Sequence, residues 1–359
     1  MTFFFYLPLL LLYALFAIYA ERKISAFIQN RLGPMQTGPY GIAQTIADFI
    51  KLIQKEDIVP GAAISWLFKL SPIFTFAVVF AGFSLLPVHA NWPGAEMASG
   101  VFVLLAIVSL DVIGLLLIGW SSNNKYSTLG AFRAAAQLLS YEIALGISVL
   151  VVCVWSGTLN LQEISYRQGQ YHTEPLYFLG IPGWWNVQPL GGFLAWHVCT
   201  MPLLFFVWLI FFIASLAEAN RAPFDLPEAE SELVGGIQTE YSGFRWAVIM
   251  FAEYGMMLLV SLVGVILFFG SWYSPIPNIG GLEFASWTNG TPGTWTASVW
   301  GGFWLISKSL LMVSLQIWVR WTFPRLRINQ LMSLCWKYLV PFALIFLLFT
   351  ALWKIWLTL

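Results

Sequence analysis

Five carboxylates crowd into fifteen residues: Glu218, Asp225, Glu228, Glu230 and Glu232. Like charges this close raise one another's affinity for protons once they are partly desolvated, so the chemistry they offer is proton uptake and release near neutral pH. Arg221 and Arg245 are the counter-charges that would hold the remainder ionised. Four more charges, Asp111, Glu142, Glu253 and Lys308, fall inside long apolar runs. Each costs ~3 kcal/mol at the centre of a bilayer. A buried ion pair of Lys308 with one acid would be a purely structural account, but one lysine neutralises only one of three acids. Asp225, Glu228 and Glu232 also stand at i, i+3 and i+7 around Pro227, which predicts one acidic face on a capped helix.

Such groups need elements that hold them within lipid. The chain is 59% hydrophobic and 9% charged, with a mean hydropathy of +0.77, the composition of a polytopic membrane protein. The zero net charge gives no footing for nucleic acid. The expected fold is all-α, one membrane unit over 1–359, with eight transmembrane helices at 3–20, 66–88, 100–120, 133–155, 195–218, 245–270, 300–320 and 336–356. The first run lacks a basic start and a cleavage site and reads as a retained span.

All Lys and Arg but Arg167, Lys308 and Lys354 fall on one side of these spans. The positive-inside rule then places both termini outside and the acidic loop, 217–241, inside. At ~1.5 Å per residue, the four intramembrane charges lie ~12–18 Å from the inner-side charges and converge near the midplane. That is a half-path reached from the inner side. Within the first inner loop, 40–56, Ile42, Ile46, Phe49, Ile50 and Ile53 share one helical face, and Gln44, Asp48, Lys51 and Lys55 share the other. This is an amphipathic helix lying at the membrane surface. The outer loop, 156–196, is aromatic, with Trp184 and Trp185 at the interface.

Other chemistries find no footing. Cys153, Cys199 and Cys335 are far apart and form no metal or cluster motif. His89, His172 and His197 lie in or near outer segments and read as interfacial histidines rather than haem ligands. No hydrolase elbow, zinc motif, P-loop or dinucleotide fingerprint is present. No internal repeat is evident, which weighs against a stand-alone ion transporter.

Several motifs resemble one family. They are Ala20-Glu-Arg-Lys-Ile-Ser-Ala-Phe-Ile-Gln-Asn-Arg-Leu-Gly-Pro34, Ala47-Asp-Phe-Ile-Lys-Leu52, Gly130-Ala-Phe-Arg-Ala-Ala-Ala-Gln137 with Ser140-Tyr-Glu142, the acidic loop, Phe251-Ala-Glu-Tyr254 and Val319-Arg-Trp-Thr-Phe-Pro-Arg-Leu-Arg327. Together they are similar to the family that comprises the H subunit of bacterial respiratory complex I, the proton-pumping NADH:quinone oxidoreductase, and mitochondrial NADH dehydrogenase subunit 1. A hydrogenase or ferredoxin-fed relative with a homologous anchor is the alternative. The resemblance implies a multi-pass protein of the bacterial inner membrane, with ubiquinone or menaquinone as substrate and no redox cofactor of its own. Implied partners are the peripheral-arm quinone module, including a subunit with an iron–sulfur cluster, and small and antiporter-like membrane subunits. Arg22, Gln29, Arg31, Asp48, Arg221, Phe224 and Asp225 are implied to line the quinone tunnel. Glu142, Glu218, Asp225, Glu228, Glu230, Glu232 and Glu253 are implied to form the relay, and Arg133, Arg320, Arg325 and Arg327 to dock or orient. Asp111 and Lys308 acquire no role from it.

Overall fold

Apolar segments in lipid must close their own backbone hydrogen bonds, and helices do so. The computed structural model describes residues 2–95, 97–171, 175–181, 183–227, 230–278, 283–291 and 293–358. Among them there is no strand, only the isolated bridges His89–Trp92 and Tyr177–Asn186. The helices are α1 Thr2–Ile28, α2 Gln44–Gln54, α3 Ser65–Leu85, α4 Gly100–Ser121, α5 Lys125–Ser156, α6 Leu161–Tyr166, α7 His197–Thr200, α8 Leu203–Glu218, α9 Glu230–Leu233, α10 Gly243–Phe268, α11 Phe284–Asn289, α12 Trp295–Thr322, α13 Ile328–Leu334 and α14 Val340–Thr358.

Among the described residues, seven stretches are long and apolar enough to cross a membrane: α1, α3, α4, α5, α10, α12, and the run Ile328–Leu357, which joins α13 and α14 through a π-turn at Cys335–Leu339. The span expected at 195–218 is different. α7 breaks at Met201, whose backbone is extended, and Pro202 precedes the sixteen residues of α8. At ~1.5 Å per residue α8 covers ~24 Å, short of a ~30 Å hydrocarbon core.

The shortfall lies at the 195–202 end, where α7 breaks; at the other end α8 runs straight into the acidic loop. Ala219, Asn220, Arg221, Phe224, Asp225 and Leu226 are all buried, so the loop folds into the bundle. Irregular backbone is tolerated at such depth only when protein supplies its hydrogen bonds. Here Gln137 donates to the Ala217 carbonyl (2.8 Å), the Arg221 amide to Leu216 (3.1 Å) and the Leu326 amide to Pro223 (3.1 Å). This burial also overturns the expected acidic helix face. Asp225 is buried outside any helix, Glu232 is exposed on the four-residue α9, and Glu228 lies outside the described residues.

Both α1 and α5 outrun their expected limits by eight residues. α1 continues eight residues past position 20, carrying Glu21 and Arg22, until Asn30 turns the chain at a φ of 51°. α5 starts at Lys125 because the Asn124 side chain accepts the Tyr126 amide (2.9 Å) and caps it. α4 approaches both its neighbours through glycine. A Cβ on Gly114 would lie 2.3 Å from Thr75 Cγ2 of α3, and one on Gly119 would lie 2.2 Å from Ala131 Cβ of α5.

Lys308 does not join the acids. Its ammonium donates to the carbonyls of Phe269 (2.7 Å) and Tyr273 (2.9 Å), just beyond the C-terminus of α10, and lies 4.9 Å from the Trp196 ring centroid. Helix C-termini leave carbonyls without partners and carry partial negative charge, so a buried ammonium finds its compensation there. Lys354 repeats the device at the end of α5, donating to Val154 (2.8 Å) and Trp155 (3.0 Å). The ion-pair account of Lys308 is thereby replaced by carbonyl capping.

Candidate functional site

A cavity of about 630 Å³ lies between α1, α2, α10 and the end of α12. The middle of α1 (Leu11, Ala14, Leu15, Ile18) and the N-terminal half of α10 (Phe244, Ala247, Val248, Met250, Phe251) supply apolar walls. Leu11, Phe49 and Phe244 on its lining are exposed, so the cavity is open at the flank of the bundle. α2 packs there through Thr45, Asp48 and Leu52 and leaves Ile46, Ile50 and Ile53 exposed, with Ile42 exposed just before it, as a helix seated in an interface does.

The inner end of the cavity is polar. Glu21 is buried, and Arg221 (3.4 Å), Arg320 and the Tyr254 hydroxyl (2.6 Å) all donate to its carboxylate. The Arg221 guanidinium also lies 4.2 Å from the Tyr254 ring centroid, a cation–π distance. Glu21 and Tyr254 stand inside the motifs quoted above, but spacing alone singles out neither. The available signal is an acid directly abutting an apolar run. α12 delivers Arg320 in its last turn, where the Glu21 carboxylate draws it inward, so it lines the cavity.

Arg22, Arg31, Asp48 and Arg221 line this cavity. Arg22 pairs with Asp48 (2.5 Å) and Arg31 donates to Gln29 (2.7 Å). Phe224 and Asp225 stand behind it: Phe224 packs on Tyr141, with ring centroids 5.2 Å apart, and Asp225 pairs with Arg325 (2.9 Å). Arg133 is paired with Glu232 (2.6 Å) at the surface, and Arg327 is exposed before α13.

The intramembrane acids gather behind the same wall. Asp111, Glu218 and Glu253 line a gap of about 10 Å³ with Thr75 and Asn220. Glu253 lines the large cavity as well, so one carboxylate borders both spaces. It accepts from Gln238 (3.1 Å), which in turn accepts from Trp246 (2.6 Å). Glu142 accepts from the Ser109 hydroxyl and acts electrostatically on Glu218. Glu230 lies on α9 with its side chain outside what is described, and Glu228 is likewise outside the described residues.

A family model described as NADH dehydrogenase matches residues 1–351. The chain belongs to the NADH dehydrogenase family. A relative from Cytophaga hutchinsonii, named as NADH-quinone oxidoreductase H-subunit 2, is 54% identical over 361 residues, 98% of each chain. One from Chlorobaculum parvum, named as an NADH-quinone oxidoreductase H-subunit, is 48% identical over 96% of this chain and 89% of its own length. One from Anaeromyxobacter dehalogenans with the same name is 40% identical over 94% and 77%. In this member of the NADH dehydrogenase family, His89 is buried beyond α3, and burial holds its imidazole down at about 4. His197 is bonded to the Leu267 carbonyl (2.8 Å), and His172 lies outside the described residues.

Burial pushes the Asp225 carboxyl above the ordinary aspartate range, while Arg325, Arg320 and Arg221 pull it back. A carboxyl whose folded value exceeds its unfolded one contributes stability that is fully present below the ordinary aspartate range and is lost as pH rises through the folded value. Arg325→Leu removes the nearest pull and enlarges the loss. The thermal midpoint of the variant is expected to fall further than the parent's between mildly acidic and mildly alkaline pH, and Arg325→Leu/Asp225→Asn, with no carboxyl left to titrate at that position, is expected to show a shallower slope than both. A scanning-fluorimetry pH series measures this, and identical slopes in parent and single variant would refute it.

Proposed function

We propose that this chain is the membrane component of a proton-pumping NADH:quinone oxidoreductase that forms much of the quinone tunnel, docks the peripheral arm and starts the acidic relay. One observation carries the reading: an apolar cavity open at the flank of the bundle ends in a Glu21–Arg221–Arg320–Tyr254 cluster and shares Glu253 with an acid-lined gap. A quinone has an apolar tail and a polar head, and such a cavity suits both ends. Reduction of the head changes charge beside Glu21, and Glu253 stands between that site and the buried acids. The names carried by the relatives support the same substrate and the same assembly.

In this reading the chain is one membrane unit with eight crossings: the seven long helices and the broken stretch from α7 through α8. The end of the bundle rich in Lys and Arg faces the cytoplasm, both termini lie outside, and the membrane is the bacterial inner membrane. Partners are the peripheral-arm quinone module with its iron–sulfur subunit and the small and antiporter-like membrane subunits. Arg133, Arg325 and Arg327 lie toward the docking face.

Ala247→Trp tests the tunnel by filling its wall from α10. With long-tailed quinone in membranes the KM is expected to rise roughly tenfold with kcat nearly kept, the signature of lost binding shared by ground and transition states. NADH oxidation by a soluble acceptor that bypasses the membrane arm should be unchanged. An unaltered KM would count against a ligand in this cavity.

A further inference from the structure

Asp111 of α4 and Glu218 of α8 meet in the gap of about 10 Å³ described above. Glu218 is 2% exposed and Asp111 7%. Glu218 Oε2 is fully buried and accepts no hydrogen bond from the described residues, although its residue lines the gap. The groups facing the pair come from every side. α3 brings Thr75, the buried loop brings Asn220, α10 brings Glu253, itself an acceptor of Gln238, and α5 brings Glu142, itself an acceptor of Ser109. Among the described residues no Lys or Arg lines the gap. The nearest cation along the chain, Arg221, is turned to Glu21.

Two buried carboxylates that line one gap, with no Lys or Arg on it among the described residues, repel strongly in a medium of low dielectric constant. They settle this by keeping one proton for two charges. A protonated carboxyl of the pair supplies the donor that the buried Glu218 oxygen lacks among the chain's own groups.

We propose that Asp111 and Glu218 hold a single proton between them, making Asp111 a second proton-binding group beside Glu218 and joining α4 to the path. The assignment of that proton to a coupling path rests on the function proposed above, but the pair itself does not. The step it permits is a proton passing between Asp111 Oδ and Glu218 Oε, with no change in bonding electrons elsewhere.

Infrared spectroscopy of the assembled, resting complex, without NADH or added quinone, reads the proton directly. The signal is the exchange-sensitive C=O band of a buried, protonated carboxyl at neutral pH. Asp111→Asn and Glu218→Gln each remove the repelling charge and give the remaining carboxylate an N–H donor, so the survivor ionises. Each single variant is therefore expected to lose the same one-carboxyl band from the parent spectrum, and the double variant is expected to lose no more. Asp111→Ser serves if the asparagine variant fails to assemble. Bands that are lost separately and add in the double variant would show two independent protons and overturn the proposal. So would an unchanged spectrum in both Asp111 variants. Because no quinone is present, a negative result leaves the quinone reading intact. A parent complex that fails to reduce quinone would sink that reading without touching the pair.

Discussion

Glu21→Gln is expected to reduce NADH:quinone reductase activity at least a hundredfold. The Glu21 carboxylate is the common acceptor for Arg221, Arg320 and the Tyr254 hydroxyl, and both Glu21 and Arg221 are buried. A neutral amide removes the carboxylate that the two guanidinium groups share. Its own NH2 group also adds a donor where three donors already converge. Removing one partner of a buried ion pair costs ~3–5 kcal/mol, more than the ~2.8 kcal/mol that corresponds to a hundredfold difference. The loss can fall on assembly or on turnover, so native gels and activity per assembled complex should be read together. Glu21→Asp keeps the charge one methylene short and should recover part of the signal. An amide variant that assembles fully and turns over at the parent rate would remove Glu21 from the argument.

Glu142→Gln should separate pumping from assembly. The glutamine carbonyl can still accept from Ser109, so the contact between α4 and α5 survives, and the change in stability should stay within ~0.5 kcal/mol. What the amide cannot do is take up or release a proton beside Glu218. In proteoliposomes, proton uptake driven by NADH oxidation is expected to fall about tenfold, somewhat below the usual contribution of a positioned acid–base group because other acids stand nearby. Normal pumping in a fully assembled Glu142→Gln complex would exclude Glu142 from the path.

Much of the helical frame is legible in the sequence, because lipid leaves few ways to satisfy a backbone and apolar length alone marks the spans. Seven of them stand where hydropathy places them, although their ends differ. The ends differ for local reasons that hydropathy does not encode. The Asn124 side chain starts α5 eight residues early, and α1 runs on through charged residues because Glu21 has two arginines to meet. Composition marks the acidic loop as a place of ionisable groups but misplaces it at a surface. Spacing suggests a helical face, whereas the segment is buried, and tertiary hydrogen bonds from Gln137 and from the Leu326 amide decide its course. Lys308 illustrates the opposite limit. Position within a span gives its depth, yet its partners are carbonyls at another helix's end, which no count along one helix reveals. Arg320 reads as a surface cation by its place in the chain, and the acid that draws it inward stands 299 positions away.

The polar end of the cavity also carries an uneven charge. Two guanidinium groups, Arg221 and Arg320, share the single carboxylate of Glu21 there. The pocket floor is therefore an electron-poor seat. If the proposed quinone occupies this cavity, a head that gains negative charge there would be held harder than the neutral molecule that entered, so the first electron would also tighten the hold on its acceptor.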